Sequence, residues 1–172
     1  MDNGFAVDET GMTADGYRTL PKNSVKSMYV KNFIKFAIIS VIVGLVIHFW
    51  EYLTDYDRDL GSIIVIAFYV IIVLYLIIGP QIFYRRYRYR MDDDKVEIRR
   101  GIITITHSLV PIERIHQVQV AKGPINRMFG LANVNITTAG GIATMEYLDE
   151  EVAESIASKL NEYVVRLLKD RD

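Results

Sequence analysis

Twenty-five consecutive residues, Leu60 to Tyr84, carry no charged side chain. A helix needs about 20 apolar residues to cross a bilayer, so this run is long enough by itself. A second uncharged run, Phe36 to Trp50, reads FAIISVIVGLVIHFW. It reaches spanning length with its flanks, Lys31 and Lys35 snorkelling at one end and Trp50 and Tyr52 at the other interface. Buried helices of soluble proteins seldom stay apolar for so long. More than thirty residues with several acids precede the first run, which is the wrong leader for a signal peptide. Both runs are therefore read as permanent spans, at about 31–53 and 60–84.

The flanks set an orientation. Lys22, Lys26, Lys31 and Lys35 precede or open the first span, and Arg85, Arg86, Arg88 and Arg90 follow the second. The connection Glu51–Asp59 holds Glu51, Asp55, Asp57 and Asp59 against Arg58 alone. The positive-inside asymmetry puts both ends of the hairpin, and both termini, in the cytoplasm of a multi-pass plasma-membrane protein. The expected organisation is a flexible cytosolic tail over 1–24, a hairpin over 25–84 and a cytosolic domain over 85–172.

Within the first span Ala37, Ser40 and Gly44 share a helical face, suited to packing on the second span or on a partner helix. His48 is the ionisable group well inside that run. Its neighbours Trp50 and Tyr52 place it near the outer interface, and the second span offers no ionisable partner, which counts against a proton-coupled transporter. Gly79-Pro80 is expected to kink or end the second helix.

After Tyr84 the periodicity changes to two. In RRYRYR, residues 85–90, alternation puts Arg86, Arg88 and Arg90 on one face. Strands are expected around Tyr87–Met91, Lys95–Arg99, Ile103–Ser108, His116–Val120, Ala132–Thr138 and Ile142–Leu148. Asp92–Asp94 is a solvated turn and Ala139-Gly140-Gly141 a tight one. Gly123-Pro124 opens about one helical turn that Gly130 closes. From Asp149 onward Val152, Ile156, Leu160, Tyr163, Val164 and Leu167 form one apolar stripe of a helix ending near Lys169. The fold class is an α+β membrane protein. A two-helix transmembrane hairpin is followed by a small antiparallel sheet or barrel of six or seven strands with a C-terminal amphipathic helix.

Strands followed by one terminal helix give the outline of a pleckstrin-homology (PH)-like domain. The run Tyr89–Gly141 resembles the bacterial PH-like domain of the YdbS-like membrane protein family. The matching words are VEIRRGI (Val96–Ile102), PIERI (Pro111–Ile115), VQVAKGPINRMFGLANV (Val118–Val134) and ITTAGG (Ile136–Gly141). With the two spans, the resemblance covers about residues 20–165; Ile112 stands where an aromatic is frequent and His116 where glutamine is frequent. It implies a prokaryotic plasma-membrane protein whose relatives are often encoded beside a longer protein with several such domains. Some pairs of this kind are linked to resistance against membrane-active antimicrobial peptides. The resemblance carries over no catalytic residue.

The function classes narrow accordingly. There is no cysteine, which removes disulfides and thiolate chemistry. No phosphate loop, zinc-protease helix or nucleophile elbow is present, and the three histidines are scattered. No catalytic residue, metal site or cofactor is expected. Net charge of −1, and 14 basic against 13 acidic residues after Tyr84, argue against nucleic acid as a partner. The leading expectation is a membrane-anchored interaction module that meets another membrane protein, or itself, by strand addition or peptide docking. Ile125, Met128, Phe129 and Leu131 are its candidate partner-binding patch. The alternative is sensing of anionic lipid, with Arg85, Arg86, Arg88, Arg90, Lys122 and Arg127 as headgroup candidates.

Overall fold

A computed structural model describes residues 16–50 and 58–169. Those residues divide into two units: residues between 28 and 80, and residues 16–27 together with 81–169. The PH-like unit is thus discontinuous in sequence, and the hairpin is an insertion within it.

The hairpin consists of most of α1 (Asn23–His48), from Met28 on, and most of α2 (Arg58–Arg86), up to Pro80. Both are apolar on all sides, as lipid-facing helices are. The acidic connection over 51–57 lies outside the described residues. Pro80 does not end α2, which runs on to Arg86. Proline has no N–H, so the carbonyl of Leu76, four residues earlier, has no helical donor. Inside a bilayer such a group must be satisfied by protein. Asn32 of α1 donates its side-chain amide to the Leu76 carbonyl at 2.7 Å, and the Tyr29 hydroxyl donates to the next carbonyl, Ile77, at 3.0 Å.

Farther along, the Ser40 hydroxyl donates to the Phe36 carbonyl at 2.7 Å and lies 2.8 Å from the Tyr69 hydroxyl. The Phe36 and Tyr69 rings are 6.3 Å apart. Near the other end Gly61 meets the Trp50 ring, where an added Cβ would come within 2.0 Å of a ring carbon. Of the expected small-residue face, only Ser40 meets α2. Ala37 is exposed, and a Cβ built on exposed Gly44 would touch nothing within 4 Å. The packing face runs through the hydrogen-bonding residues Asn32 and Ser40, so Ser40 lies at its border with the small-residue face and Ala37 and Gly44 fall outside it.

The PH-like unit holds two three-stranded antiparallel sheets. One is ordered β1 (Arg88–Met91), β2 (Lys95–Arg100), β3 (Thr106–Pro111); the other β4 (Ile115–Ala121), β5 (Leu131–Thr138), β6 (Gly141–Asp149). A 3-10 turn, Ile112–Arg114, joins the sheets, and the short helix α3 (Pro124–Met128) joins β4 to β5. The terminal helix α4 (Glu150–Lys169) covers the second sheet, with Ala153, Ile156 and Leu160 buried. Val96, Ile98, Val134, Ile136, Met145 and Leu148 fill the core from the two sheets.

Two departures from the expected elements are instructive. The strand expected at Ile103 starts only at Thr106, and Gly101 to Ile105 form a loop. Gly101 has φ +143°, and a Cβ there would collide with the Thr104 carbonyl at 1.9 Å. The alternation of isoleucine and threonine reads as strand, but the glycine turns the chain first. The end of the expected tail is also ordered. Tyr17 and Leu20 are buried, and Arg18 exchanges backbone hydrogen bonds with Tyr89 of β1 at 2.8 and 3.1 Å. α1 then begins at Asn23, with the Ser24 hydroxyl donating to the Pro21 carbonyl at 2.6 Å.

Replacing Asn32 by leucine leaves the Leu76 carbonyl without its side-chain donor, and is expected to cost about 1 kcal/mol of hairpin stability. In a Pro80→Ala background the restored N–H serves that carbonyl, and the cost should fall toward zero. Thermal unfolding of the four proteins in nanodiscs measures the cycle; an equal cost in both backgrounds would contradict the assignment.

Candidate functional site

A groove of about 800 Å³ lies between β1 and α4 in the PH-like unit. Its volume lies in the range of ordinary ligand clefts. One wall is β1 and the turn after it, Tyr89 to Asp93; the other is the α4 face carrying Val152, Ser155, Ile156, Lys159 and Tyr163. Gly16 and Arg18 border it where the N-terminal segment pairs with the outer edge of β1. The Tyr163 hydroxyl donates to the Asp93 carboxylate across the gap at 3.2 Å, and this bond pushes the Tyr163 phenol up. Arg18, Arg90, Lys159 and Arg166 line the groove along with Asp92, Asp93, Glu151 and Glu162. Four cations against four acids leave it close to neutral.

The first sheet owes its outer face to Glu97 at its centre. The carboxylate accepts hydrogen bonds from the Tyr17 hydroxyl, from Lys95 at 2.9 Å and from His107 at 3.2 Å. These donors, Tyr17 first and Lys95 second, hold its pKa down to about 2. The Arg99 guanidinium lies 4.4 Å from the centre of the Tyr17 ring, completing the clamp on the N-terminal segment.

A second network is buried. Asn126 of α3 is 2% exposed. Its carbonyl oxygen accepts from the Ser27 hydroxyl at 2.9 Å, and its amide donates to the Asn133 side-chain oxygen at 3.2 Å. That oxygen also accepts the Tyr147 N–H at 2.9 Å. Tyr147 sits at a bulge of β6 with φ 58°, which turns its ring to meet Phe83 of α2, with 6.2 Å between centroids. Beside it the Tyr87 hydroxyl accepts the Glu146 N–H at 2.8 Å, and burial pushes this phenol far above its ordinary value.

The expected patches come apart. Leu131 is fully buried and belongs to the core, Ile125 and Phe129 are half-buried, and Met128 is exposed. The arginines do not share a face, because Arg86 still belongs to α2 and Arg88 is buried. Arg86 donates to the Ile102 carbonyl at 2.6 Å, Arg88 to the Tyr87 carbonyl at 2.7 Å, and Arg90 pairs with Asp92 at 2.8 Å. Lys122 is held by Glu150 at 2.5 Å and Glu154 at 2.7 Å. Arg85 and Arg127 are exposed. Four of the six cations are thus engaged by groups of the protein itself. Among the described residues no cluster of acids and histidines is arranged to hold a metal ion.

Sequence reasoning missed the groove and both networks. A serine in the first turns of α1 and two asparagines on opposite sides of a glycine carry no motif that points to one another.

Comparison with known proteins decides the family. The bacterial PH domain family matches residues 25–164, spans and sheets together. The chain belongs to that family. Among its relatives, the UPF0699 transmembrane protein YdbS of Bacillus subtilis (strain 168) is 26% identical over 89 residues, 52% of this chain and 56% of YdbS. YdbT of the same organism, also a UPF0699 transmembrane protein, is 26% identical over 96 residues, 56% of this chain and 20% of YdbT. The matches thus span just over half the length of one relative and a fifth of the other. No solved structure matches the chain. Family and relatives make this a YdbS-like membrane protein with a PH-like domain, and they point to a non-catalytic one.

Two outcomes follow for the Glu97 clamp. Tyr17→Phe removes a hydrogen bond to a buried carboxylate, worth about 1.5–3 kcal/mol, and denaturant unfolding in detergent should show a loss of that order. Because the folded pKa of Glu97 lies below its ordinary value near 4.5, its contribution is fully present above that value. It is lost as pH falls toward about 2. Melting temperature should drop across that interval more steeply in the wild type than in Glu97→Gln; parallel curves would contradict the clamp.

Proposed function

We propose that this protein is a non-enzymatic, membrane-anchored interaction module. Its PH-like unit receives an extended segment of a membrane protein partner in the groove between β1 and α4. The observation that carries this reading is the outer edge of β1. Arg18 already pairs there as an antiparallel strand would, and α4 walls the same edge. This edge already takes an extended segment of the chain at one residue pair beside a helix, which is the geometry by which a peptide is received through strand addition. The balanced charge of the lining favours a polypeptide over an anionic headgroup, which would call for a cationic excess. A longer relative fits as the partner, of the kind that the family resemblance gives several PH-like domains; YdbT is one longer relative, matched over only a fifth of its length. Work at the cytoplasmic face of the plasma membrane, with both termini inside, follows from the Lys/Arg asymmetry of the flanks. A role in envelope maintenance or in resistance to antimicrobial peptides fits such a pair.

Site-specific photocrosslinking in native membranes tests the proposal. A photoreactive residue at Ser155, within the groove, should join one membrane protein through a contiguous segment; the same probe at exposed Glu113, outside it, should not. Adducts to lipid alone at Ser155, or the same protein adduct from both positions, would refute it.

A further inference from the structure

The loop between β2 and β3 is placed and composed for a task that the groove does not perform. Residues 101–106 read GIITIT, without a charge. Ile103 is 85% exposed and Ile105 52% exposed, an unusual pair for a turn in water. The turn is fixed by Gly101, whose φ of +143° and close approach to the Thr104 carbonyl leave no room for a side chain.

The register fixes which end of the sheet carries this loop. Arg88 of β1 pairs with Arg99 of β2, and Arg100 of β2 pairs with Thr106 of β3. The loop therefore lies at the end of the sheet where α2 feeds into β1. There the Arg86 guanidinium donates to the Ile102 carbonyl at 2.6 Å. Arg86 is the last residue of α2, two positions beyond the uncharged run that ends at Tyr84. In a spanning helix, arginines at this point sit at headgroup level. The acidic turn Asp92–Asp94 lies at the opposite end of the four-residue strand β1, roughly 13 Å away at 3.3 Å per residue.

We infer that the tip of this loop dips into the leaflet, with Ile103 and Ile105 at the boundary between headgroups and acyl chains and Arg86 as the tether. The occupant is the bilayer that α2 crosses. The tip is a convex pair of branched aliphatic side chains, suited to a lipid surface. Exposed Arg85, which precedes Arg86 at the end of α2, suits the phosphates of the same headgroup layer. Insertion is apolar in origin, so it needs no anionic lipid. It would give the PH-like unit a second membrane attachment in addition to the spans.

The chain has no cysteine, so single-cysteine labelling is clean. The full-length protein carrying Ile103→Cys, Ile105→Cys or Glu113→Cys is labelled with an environment-sensitive fluorophore and reconstituted in phosphatidylcholine vesicles. Glu113 serves as the distant control, in the turn after β3. Blue-shifted emission at Ile103 and Ile105, quenched several-fold more strongly by nitroxide lipids than emission at Glu113, supports the inference. It should persist in neutral lipid and at high salt. Water-like emission at Ile103 would overturn the inference. So would blue-shifted emission that lipid nitroxides do not quench, since protein would then cover the loop. Quenching that requires anionic lipid would overturn it too.

Discussion

One buried amide, that of Asn126, ties together parts of the chain that the sequence keeps far apart. It accepts from Ser27 and donates to Asn133, whose oxygen holds the Tyr147 N–H at the bulge of β6. A polar side chain this deep is stable only when its hydrogen bonds are made, and removing any member leaves the others unpaired at a cost of about 1–3 kcal/mol. The network joins the start of α1 to β5 and β6. The Arg18–Tyr89 pairing and the Tyr17–Glu97 bond clamp the segment just before it. The PH-like unit is therefore closed by residues on either side of the hairpin, and the hairpin is an insertion in it.

The hairpin obeys a different constraint. With lipid around it, no water is available to its backbone, so the carbonyl stranded by Pro80 must find a partner within the protein. Asn32 and Tyr29 supply donors at that point, and this fixes the pairing of α1 with α2 there. The small residues Ala37 and Gly44 are left outward. They remain available to lipid or to another helix.

Much of the fold is legible in the sequence because it follows from local chemistry. Uncharged runs of spanning length, period-two alternation, and the Val152–Ile156–Leu160 stripe each announce an element, although α1 starts at Asn23, eight residues before the span expected from 31. The failures share one cause: they depend on partners distant in the chain. Ile103 and Ile105 alternate as a strand does, and only the conformation of Gly101 removes them from it. RRYRYR reads as one basic face, yet α2 continues through Arg86 and puts Arg86 and Arg88 in different elements. Leu131 reads as part of a surface patch, although it opens a strand whose alternate residues fill the core. The acids and aromatics of the tail conceal Tyr17, whose partner Glu97 lies eighty residues away. The groove has no sequence signature, because its walls come from β1 and α4, which no motif connects.

The groove matters for function only if the N-terminal segment lies where it borders that groove. Amide hydrogen exchange of the full-length protein in lipid nanodiscs tests this directly. Tyr89 donates its N–H to the Arg18 carbonyl, and Tyr147 donates its own to Asn133. The account predicts that both amides exchange about as slowly as that of Ile98 in the centre of the first sheet. Exchange at Tyr89 as fast as in an unstructured peptide, with Ile98 protected, would mean that the segment does not pair with β1. The N-terminal border of the groove, and the clamp that holds it, would then not exist in the membrane-bound protein.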